Sequence, residues 1–275
     1  MRQLGIVALL VCIVTIRGLA FGGVEVQGNK VVAETEKGRV VVDRGVVTEM
    51  MNRVTGETYT VGQAKPDLTA LLWYNAPAQV DSDAKLTCEK RGPNEALISA
   101  ALADGHQLKM TVGVDPATQD VLIRQSGSSK KKGLYGVQWG IAGLDPGRVR
   151  TLVPGNSGVC LDQRCPASEM SFGWPSGWEV QMMVAETGAG GFSVWTEDTE
   201  MRFKTLKWGR ARGEVTLAFS SQNFAPFDDL TSVESVEWRL AFFKGDWRVP
   251  AKRPRKLCGS SLSLPPASAT SYEPR

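Results

Sequence analysis

Apolar and polar residues alternate with a period of two along most of this chain. That spacing turns one side of an extended strand toward a core and the other toward solvent. Val24-Glu25-Val26-Gln27 and Lys30-Val31-Val32-Ala33-Glu34-Thr35 are short runs of this kind, split by Gly28-Asn29. Arg39-Val40-Val41-Val42-Asp43 follows Lys37-Gly38, and Val46 to Met51 leads through Thr55-Gly56 into Glu57-Thr58-Tyr59. Asp104-Gly105 separates Leu97–Leu102 from His106–Val112. The pair predicts a hairpin, because a type I′ turn needs positive φ at both central residues. Val137–Ile141, Trp178–Val184, Gly191–Trp195, Arg202–Leu206, Val215–Ser220 and Val236–Phe243 continue the pattern. The 29 glycines and 14 prolines fall mostly between the runs, so they punctuate strands rather than break them. No run of helical period inside the domain is long enough to predict a helix, with Lys65 to Tyr74 as a short exception. The pattern predicts an all-β protein, a large antiparallel β-sandwich or barrel. Ser126 to Gly133 is a polar break with the same pattern on both sides, and it reads as an exposed loop of one domain.

The ends depart from this pattern. Arg2 precedes an uncharged apolar run from Leu4 to Ile16, and Gly18-Leu19-Ala20 offers small residues for cleavage. Residues 1–20 are therefore expected to be a cleaved signal peptide of a secreted or periplasmic protein, since Arg17 stops the run short of the ~20 residues a bilayer needs. Residues 24–251 form the predicted β domain. Residues 252–275 read as a disordered tail, where a truncated or frameshifted end is one expectation. The net charge of +3 is spread among interspersed acids and bases, which argues against a nucleic-acid footprint.

Export would permit disulfides. With Cys12 gone, Cys88, Cys160, Cys165 and Cys258 remain. Cys160 and Cys165 could close a small loop or stand as two thiols. One His and scattered Cys do not supply a zinc site, so no metal is expected, and no cofactor either. Val153-Pro154-Gly155-Asn156-Ser157-Gly158 has too few glycines, in the wrong order, to cradle phosphate. His106, alone after a hairpin turn, reads as a solvent-facing strand residue rather than a general base.

Aromatics are the remaining signal, six tryptophans falling between Trp174 and Trp247. Flat rings can stack on sugars while a polar edge finds a partner. Trp174, in Phe172-Gly173-Trp174-Pro175-Ser176-Gly177-Trp178, is expected to sit exposed on a loop. Trp174, Trp178, Trp195 and Asp198 are the candidate carbohydrate-binding residues. Glu197-Asp198 and Asp228-Asp229 are the candidate carboxylates, although solvated turn acids would look the same, and glycoside hydrolysis needs a placed pair.

Taken in order, several stretches resemble a known family. Lys37-Gly38-Arg39-Val40-Val41-Val42-Asp43 with Val54-Thr55-Gly56-Glu57 is similar to the opening strands of galactose-mutarotase-like supersandwich domains. Val153-Pro154-Gly155-Asn156, Gly177–Gln181, Gly191–Asp198, Ala225-Pro226-Phe227-Asp228 and Phe243-Lys244-Gly245-Asp246-Trp247 add to the likeness. Together they resemble the β-rich domain that precedes a TIM barrel in secreted bacterial glycosidase-like proteins, over Val24 to Ala251. The resemblance implies a polysaccharide or oligosaccharide partner, and catalytic carboxylates on a barrel domain that this sequence does not contain. Pro254 stands where the family continues into a helix, and it should interrupt one. Mutarotases of this fold use histidine and glutamate, which His106 alone does not provide. Three roles stay open: an accessory domain that supports or binds glycan without hydrolysing it, a stand-alone epimerase or lyase-like enzyme using Glu197 or Asp198, and a purely structural domain.

Overall fold

The computed structural model describes residues 22–61, 66–74, 77–81, 84–155 and 157–253. The expected leader (1–20), Cys12, Lys65, Cys258 and the tail from Pro254 lie outside the described residues.

Two sheets are built in alternation. The first opens as a meander of β1 (Gly23–Gln27), β2 (Lys30–Glu34), β3 (Gly38–Asp43) and β4 (Val46–Asn52), with β5 (Glu57–Thr58) hung on β4. A 3₁₀ turn at Pro66–Leu68 leads to the short pair β6 (Ala70–Leu72) and β7 (Ala78–Gln79). The chain then crosses to the second sheet for the meander β8 (Lys85–Gly92), β9 (Glu95–Ala101), β10 (Gln107–Val114) and β11 (Val121–Ser128). It returns for β12 (Gly136–Leu144), which lies parallel to β4. It alternates again through β13 (Arg150–Val153) and β14 (Val159–Leu161), β15 (Glu169–Trp174), then β16 (Met182–Glu186) and β17 (Gly190–Trp195). The paired strands β18 (Lys204–Ala211) and β19 (Glu214–Gln222) in the first sheet, and β20 (Ser232–Glu234) and β21 (Trp238–Lys244), each paired with β11 in the second, complete the sandwich. The first sheet runs β1-β2-β3-β4-β12-β19-β18-β15 and the second β14-β13-β16-β17-β21-β11-β10-β9-β8.

The predicted hairpin is present: Asp104 and Gly105 have φ of 56° and 74°. The polar break is shorter than expected, because Ser126, Gly127 and Ser128 remain in β11, paired with both β10 and β20. Serine and glycine are poor strand formers alone, and here neighbours on both sides override propensity.

Tyr59, Trp139, Trp178, Trp208, Phe192, Phe219 and Trp238 are fully buried between the sheets. Two glycines explain motifs in the sequence. A Cβ on Gly38 would lie 2.1 Å from the Phe242 ring of the facing sheet, and one on Gly155 would lie 2.1 Å from the Gly177 carbonyl oxygen. Both positions therefore exclude a side chain so that two remote segments can touch.

After β21, Gly245 takes φ of 93°, and residues 248–253 turn into a helix. Asp246 caps it, its carboxylate accepting the Arg248 N–H at 2.9 Å. Buried Glu186 accepts the Trp247 N–H at 2.7 Å and pairs with Arg150. Ala251 packs on a small apolar cluster of Met182, Val184, Trp195 and Phe243, on the face of the second sheet turned away from the main core. Arg253 reaches buried Asp120 at 2.7 Å. Gly-Asp-Trp-Arg is thus a strap that closes this face. Of the two tryptophans there, Trp238 is in the core and only Trp247, 45% exposed, reaches solvent.

Candidate functional site

The sequence-predicted side chains Trp174, Trp178, Trp195 and Asp198 are all buried. Trp174 is 6% exposed, not a loop residue. Its strand extends to it by pairing with Lys204 of β18, and the loop begins only at Pro175. Trp178 is fully buried, donates its indole N–H to the Met182 carbonyl at 2.8 Å, and stacks on Trp238. Trp195 is buried beneath the guanidinium groups of Arg239 and Arg253. The Asp198 carboxylate is 3% exposed and lies 2.6 Å from the Nζ of Lys204, itself fully buried and 4.4 Å from the Trp174 ring centre. None of the three indole faces is free to stack on a ligand.

One other expectation is corrected, and for the cysteines the structure shows one of the two alternatives. His106 is buried, not solvent-facing: its ring lies 4.8 Å from that of Trp73, and Nδ1 is 3.0 Å from the Ser129 hydroxyl. The protruding Asp104-Gly105 turn folds His106 back under Trp73. Cys160 and Cys165 are free thiols. Their loop is held instead by Arg210, which donates to the carbonyls of Gln163 at 2.8 Å and Cys165 at 2.7 Å.

Of the candidate carboxylates, Glu197 and Asp198 line a groove of about 420 Å³ between the end of β17 and the start of β21, with Glu200 and Glu237, whereas Asp228 and Asp229 lie outside it. Most are already committed. Burial works to raise the Asp198 carboxyl, but the Lys204 hydrogen bond and charge outweigh it and hold it below its ordinary value. Glu237 is clamped between Arg124 and Arg239. Glu197 is exposed. The groove supplies ion pairs rather than two carboxylates free for acid and base work.

Arg239 also binds Asp115, 2.8 Å away, and with backbone N–H donors from Ala117 and Thr118 it holds that carboxyl down at about 2. Because this lies below the ordinary 3.8, the pair adds stability above about pH 4, and the gain is lost as pH falls toward 2. Asp115→Asn should therefore flatten the dependence of Tm on pH between 4 and 2. An unchanged slope in thermal melts would show that the pair does not form.

A different surface carries a cluster of three rings, of which Tyr74 is exposed and Tyr135 and Phe227 are half-buried. Tyr74 is 71% exposed, and its ring lies 5.0 Å from Tyr135 and 5.9 Å from Phe227. Tyr135 and Phe227 are 5.8 Å apart. Pairing of β6 with β12 sets the first two side by side, and the Tyr135 N–H extends that ladder to the Leu72 carbonyl at 3.0 Å. The Asn223 N–H bonds the Tyr135 carbonyl at 2.8 Å and the Leu134 N–H bonds Leu230 at 3.0 Å, which brings the 223–230 loop and Phe227 alongside. Beside the rings is a cavity of about 320 Å³ lined by Trp73, Tyr74, Tyr135, Gln79, Gln138 and Lys207. Burial, then the neighbouring Tyr74, pushes the Tyr135 phenol above its ordinary value, so it remains a protonated donor. Sequence reasoning missed this platform because its rings come from three separate segments. The available signal was local: Phe227 follows Ala225-Pro226 in a turn-rich loop.

No family model and no curated protein matches this chain. Solved structures do. Alpha-N-acetylgalactosaminidase NagBb from Bifidobacterium bifidum, ligand free, is similar at 11% identity and a TM-score of 0.58, over 82% of this chain and 38% of that one. GH36 alpha-galactosidase AgaB from Geobacillus stearothermophilus is similar at 8% identity and a TM-score of 0.51, over 81% of this chain and 41% of that one. The fold is the galactose-mutarotase-like β-sandwich. This chain spans about two fifths of the length of those glycosidases.

Within this mutarotase-like sandwich, the platform joins flat apolar ring faces to carboxamides, phenols and one ammonium group. That combination can stack against the C–H face of a pyranose and hydrogen-bond its hydroxyls. It offers no acid and base pair.

Proposed function

We propose that this chain is an accessory carbohydrate-binding domain of a glycosidase-like protein, holding glycan on the Tyr74–Tyr135–Phe227 platform without cleaving it. The observation that carries this reading is the three-ring cluster, with Tyr74 exposed and Tyr135 and Phe227 half-buried, beside a polar cavity. The fold supports it, because the matched glycosidases carry the same sandwich as part of a longer chain. Hydrolysis would then belong to a partner catalytic domain, a TIM barrel in the family that the sequence resembles. A polysaccharide partner outside the cytoplasm would agree with the signal peptide expected at residues 1–20.

Affinity electrophoresis against a panel of soluble polysaccharides, followed by calorimetry on those retained, tests the proposal. Tyr135→Ala should weaken binding about tenfold or more, the equivalent of ~1.4 kcal/mol, and Tyr74→Ala, at a more exposed position, somewhat less. Circular dichroism would confirm that both variants fold. Undiminished affinity in both would remove the platform from the account. Release of reducing ends by the chain alone would replace binding with catalysis.

A further inference from the structure

The cavity beside the platform has an unbalanced charge. Its lining contains one cation, Lys207, and no aspartate or glutamate. Lys207 is exposed on β18, opposite Ser171 of β15 and Ala218 of β19, so neither cross-strand neighbour is an acid. It makes no ion pair among the described residues. The acids closest in the chain to Phe227 do not line the cavity: Asp228 is exposed, and Asp229 pairs with Lys132 at 2.6 Å. Glu169, two register positions along β15 and opposite Gly209, lies outside the lining as well. Several arginines elsewhere are matched: Arg124, Arg150, Arg164, Arg202, Arg239 and Arg253 each face a carboxylate. Exposed lysines such as Lys85, Lys90 and Lys109 show no ion pair among the described residues; what sets Lys207 apart is its place in the cavity lining.

The remaining lining groups have spare hydrogen-bonding capacity. Trp73, tilted against His106 and largely buried, has an indole N–H with no hydrogen-bond partner among the described residues. Gln79 and Gln138 are carboxamides that can both donate and accept. An ammonium group is a compact charge with three donors and seeks an anion rather than a hydroxyl.

We propose that the platform selects acidic glycans, with the carboxylate or sulfate of a sugar residue pairing with Lys207 while its ring stacks on Tyr74 and Tyr135. The inference rests on the platform being the glycan site and adds the charge class of the ligand.

The test compares matched probes by calorimetry: polygalacturonate oligomers against the same oligomers methyl-esterified, and heparin oligomers against desulfated ones. The folded wild-type chain should bind an anionic probe more tightly than its neutral counterpart, with affinity falling as salt is raised. Lys207→Gln should lose about fivefold on the anionic probe, the size of a favourable exposed ion pair, and clearly less on the neutral one, where only a hydroxyl contact is lost. Lys207→Arg should retain most of the preference. Which anionic probe is preferred identifies carboxylate or sulfate as the group recognised. Equal affinity for charged and neutral probes, or equal loss on both in Lys207→Gln, overturns the charge preference and leaves the platform standing. Binding to neither member of either pair, or to neutral glycans through another face, removes the platform reading itself.

Discussion

Lys204→Met should destabilise this protein by about 3–5 kcal/mol, the cost of stranding one partner of a buried ion pair. The lysine is fully buried, its Nζ is 2.6 Å from Asp198 and 2.5 Å from the Arg202 carbonyl, and the Trp174 ring lies 4.4 Å beneath it. Burial pushes the ammonium below its ordinary value, and only the Asp198 carboxylate offsets that cost. Methionine fills similar volume, so packing is mostly preserved and the loss reports the charge. Asp198 would keep the Arg202 backbone N–H at 2.8 Å but lose its nearest cation. The double variant Asp198→Asn with Lys204→Met should recover part of the loss, because neither charge is then left alone. A cycle of urea melts gives the coupling directly. A single-variant loss under about 1 kcal/mol, typical of an exposed pair, would contradict the burial.

This pair also shows where sequence reasoning stops. Asp198 was legible as a carboxylate at a strand end, and the structure puts it there. Its partner is six residues on, in the next strand, and nothing in the spacing says that both turn inward. The fold was far more legible. Alternation and turn residues are local, so β1–β4, the Asp104-Gly105 hairpin and the β16–β17 and β18–β19 pairs follow from neighbouring residues. Sheet order is not local: the parallel contact of β4 with β12 joins residues almost a hundred apart. The same distinction governs the site. A tryptophan beside glycine and proline looks like a loop residue, yet Trp174 ends a strand whose pairing carries it inward. The platform, by contrast, exists only once three remote segments meet. Gly38 and Gly155 were legible as motif positions, but their reason, a ring and a carbonyl 2.1 Å from where a Cβ would go, required the packed sandwich.

Trp238→Ala should cost about 3–5 kcal/mol, the range for removing a large buried aromatic. Trp238 is 1% exposed and sits where both sheets meet. Its ring lies parallel to Trp178 at 6.3 Å, edge-on to Trp139 at 6.4 Å, and 5.5 Å from Phe219. Those partners come from β12 and β19 of one sheet and from the segment before β16 of the other, so the void would open in the sandwich centre, where rigid strands collapse poorly. Trp238→Phe should cost less than half as much. It loses ring area but keeps an aromatic face, and it removes an indole N–H that has no hydrogen-bond partner in the core. Chemical denaturation followed by fluorescence and circular dichroism separates the two outcomes. Equal losses for Ala and Phe would mean that the Trp178 stack, specific to the larger ring, dominates. A small loss for Ala would mean that the two sheets close over the gap, and the sandwich would be more plastic than its packing implies.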